Sequence, residues 1–590
     1  MTPGTLPSAR RRARILRWLI PVLLACAPCI AGAATLTINI EGLKDELAAA
    51  ARANLTLQQY VGRDVTPAQI RRLFNNSERE IQAALEPYGY YNVSVQSTLE
   101  PADDKGGLTA LFRVTLGEPV VVKESKVLVT GPGQELPAVR RAVRRFKPAV
   151  GDQLDHGEYE ASKTALETAL YNYGFLRAKP TKKTVEVRRK ENTAEIDVEY
   201  ETGPRLKFGD VHFSESQFRP EFLQRYVPWK EGDYYSPDDL LALQQRLVDA
   251  DYFGTVAVQP DMKNATDNEV PVNVELSPAK RTIYTAGVYV STDTGPGVRV
   301  GMQRRWVNDQ GHKFSVDIDN AQRLQSVATA YKIPLPGPDD KSLNFGATYR
   351  DENTQTSQSR TARIAANETR QWHGWTRSLG LQFLGGTFEV ADERNSSHLL
   401  YAETTLTRKK ANDFFFPRRG YSLAFGLRFA PETALSDTGF SQATADAKWI
   451  KRIARRTRLL LRASLGAMVV DDFNELPPEL RFFAGGDRSV RGFDYQQLGA
   501  TNEAGGVIGG TYLTVGSVEL EHYFLQKWGA AAFVDGGDAF MKGQFNMNIG
   551  AGVGLRWRSP VGVVRVDVAK PVKSDLAHSF RVHVNIGPDL

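Results

Sequence analysis

Several features that are common in proteins are absent or rare in this 590-residue sequence. Its two cysteines are Cys26 and Cys29, so no disulfide is expected beyond residue 34. No apolar run long enough for a transmembrane helix follows that position. P-loop, GxSxG and HExxH motifs are missing, and the eight histidines show no metal-ligand spacing. We therefore expect no enzyme activity, no cofactor and no metal.

Strong net charge is also lacking. The formal charge is +6, with 74 basic and 68 acidic residues. A dedicated nucleic-acid binder usually concentrates positive charge, so we expect no nucleic-acid partner.

The first 34 residues have the pattern of a cleaved signal peptide. A basic stretch at 10–17 precedes an apolar core at 18–30 and a small-residue cleavage motif at 31–33. Two alternatives place Cys26 in a lipoprotein cleavage site or, with Cys29, in a redox pair. The signal-peptide interpretation predicts export from the cytoplasm.

Three similar units follow, which we place at 35–117, 118–204 and 205–280. Each contains an amphipathic helix, a short strand, a polar hairpin and a second strand. The helix–turn–strand segments are "IQAALEPYGYYNVSVQ", "LETALYNYGFLRAKP" and "LQQRLVDADYFGTVAVQP". Asp155 and Ser236 occupy N-cap positions. A repeat of about 80 residues indicates small α+β domains rather than solenoid units.

From Arg281 onward the pattern changes to segments of about ten residues with alternating polarity. The last segment, "SFRVHVNIG", places Phe580, Val582 and Val584 on one face. Residues 281–590 are predicted to form a 16-stranded antiparallel transmembrane β-barrel, since a spanning strand needs about ten residues plus a turn. We expect strands to start near Thr282, Gly297, His312, Leu324, Ser342, Ser359, Gly374, His398, Gly420, Phe440, Arg456, Tyr512, Trp528, Asn546, Pro560 and Ser579.

One long gap, at 471–511, follows the eleventh predicted strand. It contains "RFFAGGDRSVRGFDYQQLG", whose many aromatic rings indicate a packed rather than a solvated loop. A buried Arg491 would need a carboxylate partner, because an isolated buried charge is very costly. Asp471 and Asp472 are interpreted as solvated loop acids rather than a calcium site.

Repeated α+β units, a barrel, "GGDRSVRGF" and "FVDGGDAF" together resemble the Omp85 superfamily, whose members join POTRA domains to a 16-stranded outer-membrane barrel. Three units, and the C-terminal "IGPDL", are most similar to its TamA branch. The resemblance implies that the long loop enters the barrel. The loop-lock motif is then Val490, Arg491, Gly492 and Phe493, held by an inner-wall acid at Asp535.

Further expectations concern the barrel wall. Alternation makes Glu519 a second acidic partner of Arg491. Gly536 and Gly537 are expected to let the loop backbone approach closely, and "GAGVG" at 550–554 is interpreted as barrel glycine that accommodates the loop. Closing the barrel predicts a seam between the first and last strands, with Thr282, Ile283 and Tyr284 on one side and Phe580, Val582 and Val584 on the other.

The resemblance implies an assembly factor in the outer membrane of a Gram-negative bacterium, with its POTRA domains in the periplasm. Its clients would be autotransporter-type β-barrel proteins, and a TamB-like inner-membrane partner would bind the first unit. Outer-membrane lipid is a further expected partner, with a part in phospholipid transport. The alternative is a polypeptide pore of the two-partner secretion type. A plug helix of about 20 residues before the first unit would favour that pore, and none lies between residues 34 and 36.

Overall fold

The computed structural model describes residues 36–587 except 64, 102–106, 337–339, 414–415, 560–561, 575 and 577–578. The predicted signal peptide lies outside the described residues. The chain divides into two compact units, one ending at Arg205 and one beginning at Leu206. In the described ranges, no helix combines the length and the apolar character needed to cross a membrane.

The first unit contains two small α+β domains. The first domain consists of β1 (Leu36–Glu41), α1 (Asp45–Asn54), α2 (Pro67–Leu85), β2 (Ser94–Pro101) and β3 (Leu108–Thr115). The second consists of β4 (Val121–Thr130), α3 (Pro137–Arg144), α4 (His156–Asn172), β5 (Lys179–Arg188) and β6 (Thr193–Glu201). The second unit opens with a third domain, made of β7 (Lys207–Phe213), α5 (Pro220–Gln224), α6 (Pro237–Asp249), β8 (Phe253–Pro260) and β9 (Glu269–Pro278).

The three domains share one sheet topology, with strand orders β1-β3-β2, β4-β6-β5 and β7-β9-β8. The last strand of each domain is central, parallel to the first strand and antiparallel to the middle one. Alternation explains the packing: in β6, the side chains of Ala194, Ile196, Val198 and Tyr200 are buried between more exposed neighbours. Both outer strands of each small sheet are edges.

Side-chain caps set the starts of the longer helices. Asp155 Oδ1 accepts a hydrogen bond from Glu158 N at 3.0 Å, and Ser236 Oγ accepts one from Asp239 N at 3.3 Å. Both N-caps expected from the sequence are confirmed. Thr66 Oγ1 does the same for Gln69 N at 3.4 Å. Each cap contributes about 1 kcal/mol because it satisfies a backbone N–H that has no partner within the helix.

Sixteen antiparallel strands form a single sheet in sequence order, from β10 to β25. They are β10 (Thr282–Ser291), β11 (Gly295–Arg304), β12 (Lys313–Ala321), β13 (Leu324–Pro334), β14 (Ser342–Asn353), β15 (Ser357–Trp372), β16 (Trp375–Val390), β17 (Glu393–Ala411), β18 (Arg419–Ala430), β19 (Phe440–Ala454), β20 (Thr457–Val470), β21 (Tyr512–His522), β22 (Trp528–Phe540), β23 (Asn548–Ser559), β24 (Gly562–Lys573) and β25 (Arg581–Gly587). The predicted strand count is confirmed. The starts differ by up to five residues, because long hairpins such as β16–β17 extend pairing beyond the predicted segments.

The strands alternate between apolar side chains exposed on the outside and polar side chains buried inside. Val566 and Val568 are exposed, whereas Asp567 between them is buried. This is the pattern of a wall with lipid outside and a polar lumen inside.

The third domain packs against the start of the barrel. Tyr252 Oη donates to Gly311 O at 2.5 Å, and Arg305 pairs with Asp251 at 3.0 Å. Lys313 Nζ donates to Ala250 O at 2.6 Å. These contacts join the β11–β12 hairpin to the end of α6, so the third domain is attached by more than its chain connection.

Candidate functional site

The inward loop, residues 471–511, has an apolar core shared with the inner wall. Its buried side chains include Leu480, Val490 and Phe493. They belong to one cluster with wall residues such as Phe440 and Val515. The abundance of aromatic and aliphatic residues in the loop is thereby explained, since burial of such side chains stabilises a loop that has little regular structure.

Arg491 is 4% exposed and contacts the wall through every part of its guanidinium group. Nε and Nη2 donate to the two carboxylate oxygens of Asp535 at 2.7 and 3.0 Å. The Arg491 backbone N also donates to Asp535 Oδ2, at 3.0 Å. Nη1 donates to Glu519 at 2.7 Å and to Asp567 at 2.9 Å. We call Arg491 with Asp535, Glu519 and Asp567 the loop lock. A bidentate, buried pair of this kind gives geometric specificity as well as energy.

An aromatic ring completes the surroundings of Arg491. The guanidinium carbon lies 3.3 Å from the centre of the Phe533 ring. Two residues further along β22, Asp535 also accepts a hydrogen bond from Ser517 at 2.6 Å. The structure therefore places Asp535 and Glu519, the two acids named from the sequence, on the same guanidinium group, with Val490 and Phe493 buried in the apolar cluster.

The charged network extends beyond the predicted residues. Fully buried Arg556 donates to Glu519 at 2.7 Å, to Asp567 at 2.5 Å and to Glu521 at 3.1 Å. Arg458 in turn donates to Glu521 at 2.5 Å. The sequence contained one signal for these residues: alternation in β24 puts Asp567 on the polar face. It could not say which inward-facing charges meet, since partners are set by strand register.

Close approach of the loop depends on Gly550 of β23. A Cβ at Gly550 would lie 1.9 Å from Arg491 O, so only glycine fits there. This agrees with the interpretation of "GAGVG" as glycine that accommodates the loop. The expectation for Gly536 and Gly537 was wrong: the atoms nearest to a Cβ there belong to β21, to β23 and to Met547 just before β23, and none of them belongs to the inward loop.

In the part of the barrel that the structure describes, the first and last strands are not paired with each other. β10 and β25 stand at opposite ends of the strand order, although they come close in space. Where they come close, the backbone N of Val584 in β25 donates a hydrogen bond to the side-chain Oγ1 of Thr292, the residue after β10, at 3.4 Å.

The predicted seam residues are distributed unevenly. Val582 and Val584 lie in β25, but Phe580 precedes that strand, which is shorter than expected and begins at Arg581. Thr282, Ile283 and Tyr284 lie at the start of β10, the end remote from Thr292. Tyr284, Phe580 and Val582 are all exposed, as lipid-facing positions are.

Asp487, in the inward loop, contacts both sides of the seam between β10 and β25. Its carboxylate accepts hydrogen bonds from Ser291 Oγ at 3.1 Å and from Thr292 Oγ1, at the end of β10. The same carboxylate accepts from His583 Nδ1 of β25 at 2.8 Å. We call Asp487 with Ser291, Thr292 and His583 the seam latch. No pattern in the sequence pointed to it.

The other ring nitrogen of His583 is also engaged. Nε2 lies 2.9 Å from the backbone N of Gly492, which donates to it. Nε2 must therefore be the unprotonated nitrogen, and Nδ1 carries the proton given to Asp487. His583 thus joins the seam latch to the residue next to Arg491. Arg581 makes a second contact between β25 and the loop, to Asp494.

Asp293, in the hairpin after β10, faces the same loop tip. Its carboxylate oxygens accept from Asp487 N at 3.1 and 3.2 Å. Burial and, after it, the neighbouring Asp487 carboxylate raise the pKa of Asp293 to about 7. In the described ranges, no three His, Cys, Asp or Glu side chains are arranged so that they could hold a metal ion.

These features define a class: a transmembrane β-barrel of sixteen strands with an inward loop fixed to its wall, preceded by α+β domains. Comparison with known families agrees. Residues 266–589 match the Omp85 superfamily domain, 37–116 match "POTRA domain TamA domain 1", and 206–279 match "Surface antigen variable number repeat" of the POTRA type. The chain belongs to the Omp85 superfamily. It is a protein of the bacterial outer membrane, with its N-terminal domains in the periplasm.

Individual relatives are similar at low identity. "Outer membrane protein assembly factor BamA" of Nitratidesulfovibrio vulgaris is 23% identical over 392 residues, which are 62% of this chain and 49% of that protein. The protein of the same name from Neorickettsia risticii is 26% identical over 187 residues, 28% of this chain and 24% of that one. The chain thus spans about half, or less, of these relatives. BamA of Haemophilus ducreyi lacking POTRA domains 1–3 has the same fold, with a TM-score of 0.68 at 17% identity, covering 79% of this chain and 99% of that structure.

Proposed function

We propose that this protein is an assembly factor that inserts or translocates autotransporter-type β-barrel proteins at the outer membrane. The observation that carries the proposal is the seam. β10 and β25, the two end strands of the sheet, come close without the strand pairing that joins the other neighbours in the described wall, and a loop side chain, Asp487, contacts both. A client strand could pair with an edge released there, whereas every other wall strand already has two partners.

The periplasmic domains support the same function. Each three-stranded sheet has two edge strands, and an extended client segment can add to such an edge through main-chain hydrogen bonds. In the first domain the edges are β1 and β2. Together with the match of residues 37–116 to a TamA-type POTRA domain, this supports a TamB-like inner-membrane partner at the first domain. The same resemblance also supports a role of this protein in phospholipid transport.

The test is a reversible seal across the seam. Beyond residue 34 the chain has no cysteine, so Thr292→Cys with Val584→Cys forms one defined disulfide in the purified, reconstituted protein. A matched control joins Val566→Cys with Val584→Cys, which are direct partners within the wall. We expect oxidation to stop assembly of an unfolded autotransporter β-domain in the sealed protein alone, and reductant to restore it.

Two results would contradict the proposal. Client assembly at the unsealed rate in the oxidised Thr292–Val584 variant would exclude the seam as the route. High, steady conductance of the unmodified protein in planar bilayers would favour the two-partner secretion pore, because the locked loop would then not close the lumen.

A further inference from the structure

A second region with a distinctive charge lies at the periplasmic end of the barrel, away from the loop lock. A cavity of about 760 Å³ opens where β17, β19, β21 and β23 end and the strands that follow them begin. These strand ends lie at the same end of the barrel as Thr282, where the periplasmic domains connect. The volume is within the range of ligand sites, about 300–1,000 Å³.

The lining of this cavity is strongly cationic. Seven arginines and lysines line it, against one carboxylate, Asp413, among the lining residues that the structure describes. Further down the wall Arg458 pairs with Glu521, which offsets one of the charges. The remaining excess of positive charge attracts an anion, and arginine suits the oxygens of a phosphate group in particular.

Arg558 is held in place by neutral partners, which Arg458 shares in addition to its pairing with Glu521. Arg458 and Arg558 lie over the Phe416 ring, with Cζ 4.0 and 3.8 Å from its centre. Arg458 Nη1 donates to Pro417 O at 2.8 Å, and Arg558 Nη1 donates to Gln526 O at 3.2 Å. Aromatic faces and carbonyl oxygens orient a guanidinium group without neutralising it. The cavity is therefore a preorganised cationic site rather than a set of independent surface charges.

The surroundings of the cavity indicate where its ligand comes from. Trp528 and Trp557 are stacked cross-strand partners on the outer face of the same strands, with ring centres 5.9 Å apart. Tryptophan at that position marks the membrane–water interface. Phe524 and Leu525, in the turn that borders the cavity, are 48% and 57% exposed. An acidic polypeptide needs cations alone, whereas a lipid also needs apolar surface for its chains beside them.

From this combination we infer a binding site for the phosphate headgroup of an anionic phospholipid of the periplasmic leaflet. The headgroup occupies the cavity between Arg558 and two exposed arginines, Arg452 near the end of β19 and Arg455 in the turn after it. The acyl chains lie over Phe524 and Leu525. The site deepens the phospholipid-transport part of the proposed function, on which it rests. It does not depend on the seam, so lipid binding can fail while client assembly stands, and the reverse.

The test uses the full-length protein in detergent, titrated with phosphatidylglycerol and followed by native mass spectrometry. Arg452→Ser with Arg455→Ser removes two exposed cations at the cavity. Lys409→Ser with Lys410→Ser removes two exposed cations at the periplasmic end of β17, outside it. Since one basic residue near an anionic lipid surface contributes about a fivefold gain in binding, we expect the first pair to weaken phosphatidylglycerol binding about thirtyfold at low salt. The second pair should leave it nearly unchanged.

Further titrations separate the lipid from other anions. Glycerol phosphate, the headgroup without chains, should compete only weakly. Competition at the same concentration as the lipid would overturn the membrane source and assign the site to a soluble phosphate ester. Displacement of the lipid by a lower concentration of polyglutamate would assign it to an acidic polypeptide, and equal losses in the two variant pairs would leave no specific site. Heat-modifiable migration on gels checks that both variants are folded.

Discussion

The loop lock and the seam latch lie only four residues apart in the inward loop, yet they hold different things. Arg491 fastens the loop to one continuous wall, β21, β22 and β24, through carboxylates on neighbouring strands. Asp487 fastens the loop to β25 and to the end of β10, the two end strands of the sheet, which are not paired with each other in the described residues. A lock of the first kind can stay closed while the barrel opens. A latch of the second kind cannot, so seam opening should require release of Asp487 but not of Arg491.

The largest effect is expected at the loop lock. Removing one partner of a buried charge pair leaves the other unpaired and costs about 3–5 kcal/mol. Arg491→Ala should therefore loosen the loop and impair client assembly, while the barrel itself still inserts. Asp535→Ala should do nearly the same, and the double variant should be little worse, because contacting partners are not additive.

The measurement is protease cleavage within residues 471–511 of the folded barrels. The exposed arginine Arg488, next to the latch in the same loop, supplies the control: Arg488→Ala should not change cleavage. Fully additive effects of Arg491→Ala and Asp535→Ala, or a loop equally protected in both, would show that something other than the lock holds the loop.

A steric change should release the same loop without touching a charge. At Gly550 a methyl group would overlap the Arg491 carbonyl, from which an added Cβ lies 1.9 Å. Overpacking of this kind typically costs about 1–3 kcal/mol. Gly550→Ala should then increase cleavage of the inward loop, whereas Gly516→Ala, where an added Cβ meets nothing within 4 Å, should not. If the inward loop of Gly550→Ala is cleaved at the same rate as that of the wild type, the loop is not in contact with β23.

The lock and the latch also differ in how far the sequence predicts them. Alternating polarity predicted the sixteen strands, and the need of a buried arginine for a carboxylate, with the superfamily resemblance, gave Arg491 with Asp535 and Glu519. The partners Asp567, Arg556 and Glu521 could not be assigned, because every inward-facing charge of neighbouring strands is an equal candidate until the register is known. The latch was unpredictable for another reason: closing a barrel brings Thr292 near Val584, nearly 300 positions apart, and nothing local records that meeting.

Breaking the latch should separate the two functions of the loop. Asp487→Ala leaves Ser291, Thr292 and His583 without their shared acceptor, a loss of about 1–3 kcal/mol. The seam should open more often while the loop remains locked. Asp494→Ala is the matched control, since that carboxylate contacts Arg581 of β25 and has the same charge.

Spin labels on Val290→Cys and Val582→Cys, two exposed positions on the two edges, report the seam through their dipolar broadening. Broadening should fall in Asp487→Ala and change less in Asp494→Ala. Protease protection of residues 471–511 should stay close to that of the wild type in both. Loss of loop protection in Asp487→Ala would mean that lock and latch are one unit, contrary to the comparison above.

The smallest effect concerns pH, and it acts on the latch alone. The pKa of Asp293 is raised to about 7 from an ordinary 3.8, by burial and by the Asp487 carboxylate. The closed loop tip therefore favours protonated Asp293. The stability of the closed tip is greatest below pH 4, falls as the pH rises toward 7, and is constant above that range. Between pH 6 and pH 8 the loss should be about 1 kcal/mol.

The measurement is hydrogen exchange at the backbone amide of Asp487, whose N–H donates to Asp293. With rising pH this exchange should accelerate more than the intrinsic pH dependence of amide exchange predicts. Asp293→Asn removes this titration, so the difference between the two proteins isolates Asp293. A difference that does not change with pH would show that Asp293 is ionised throughout and that the latch tolerates two adjacent carboxylates.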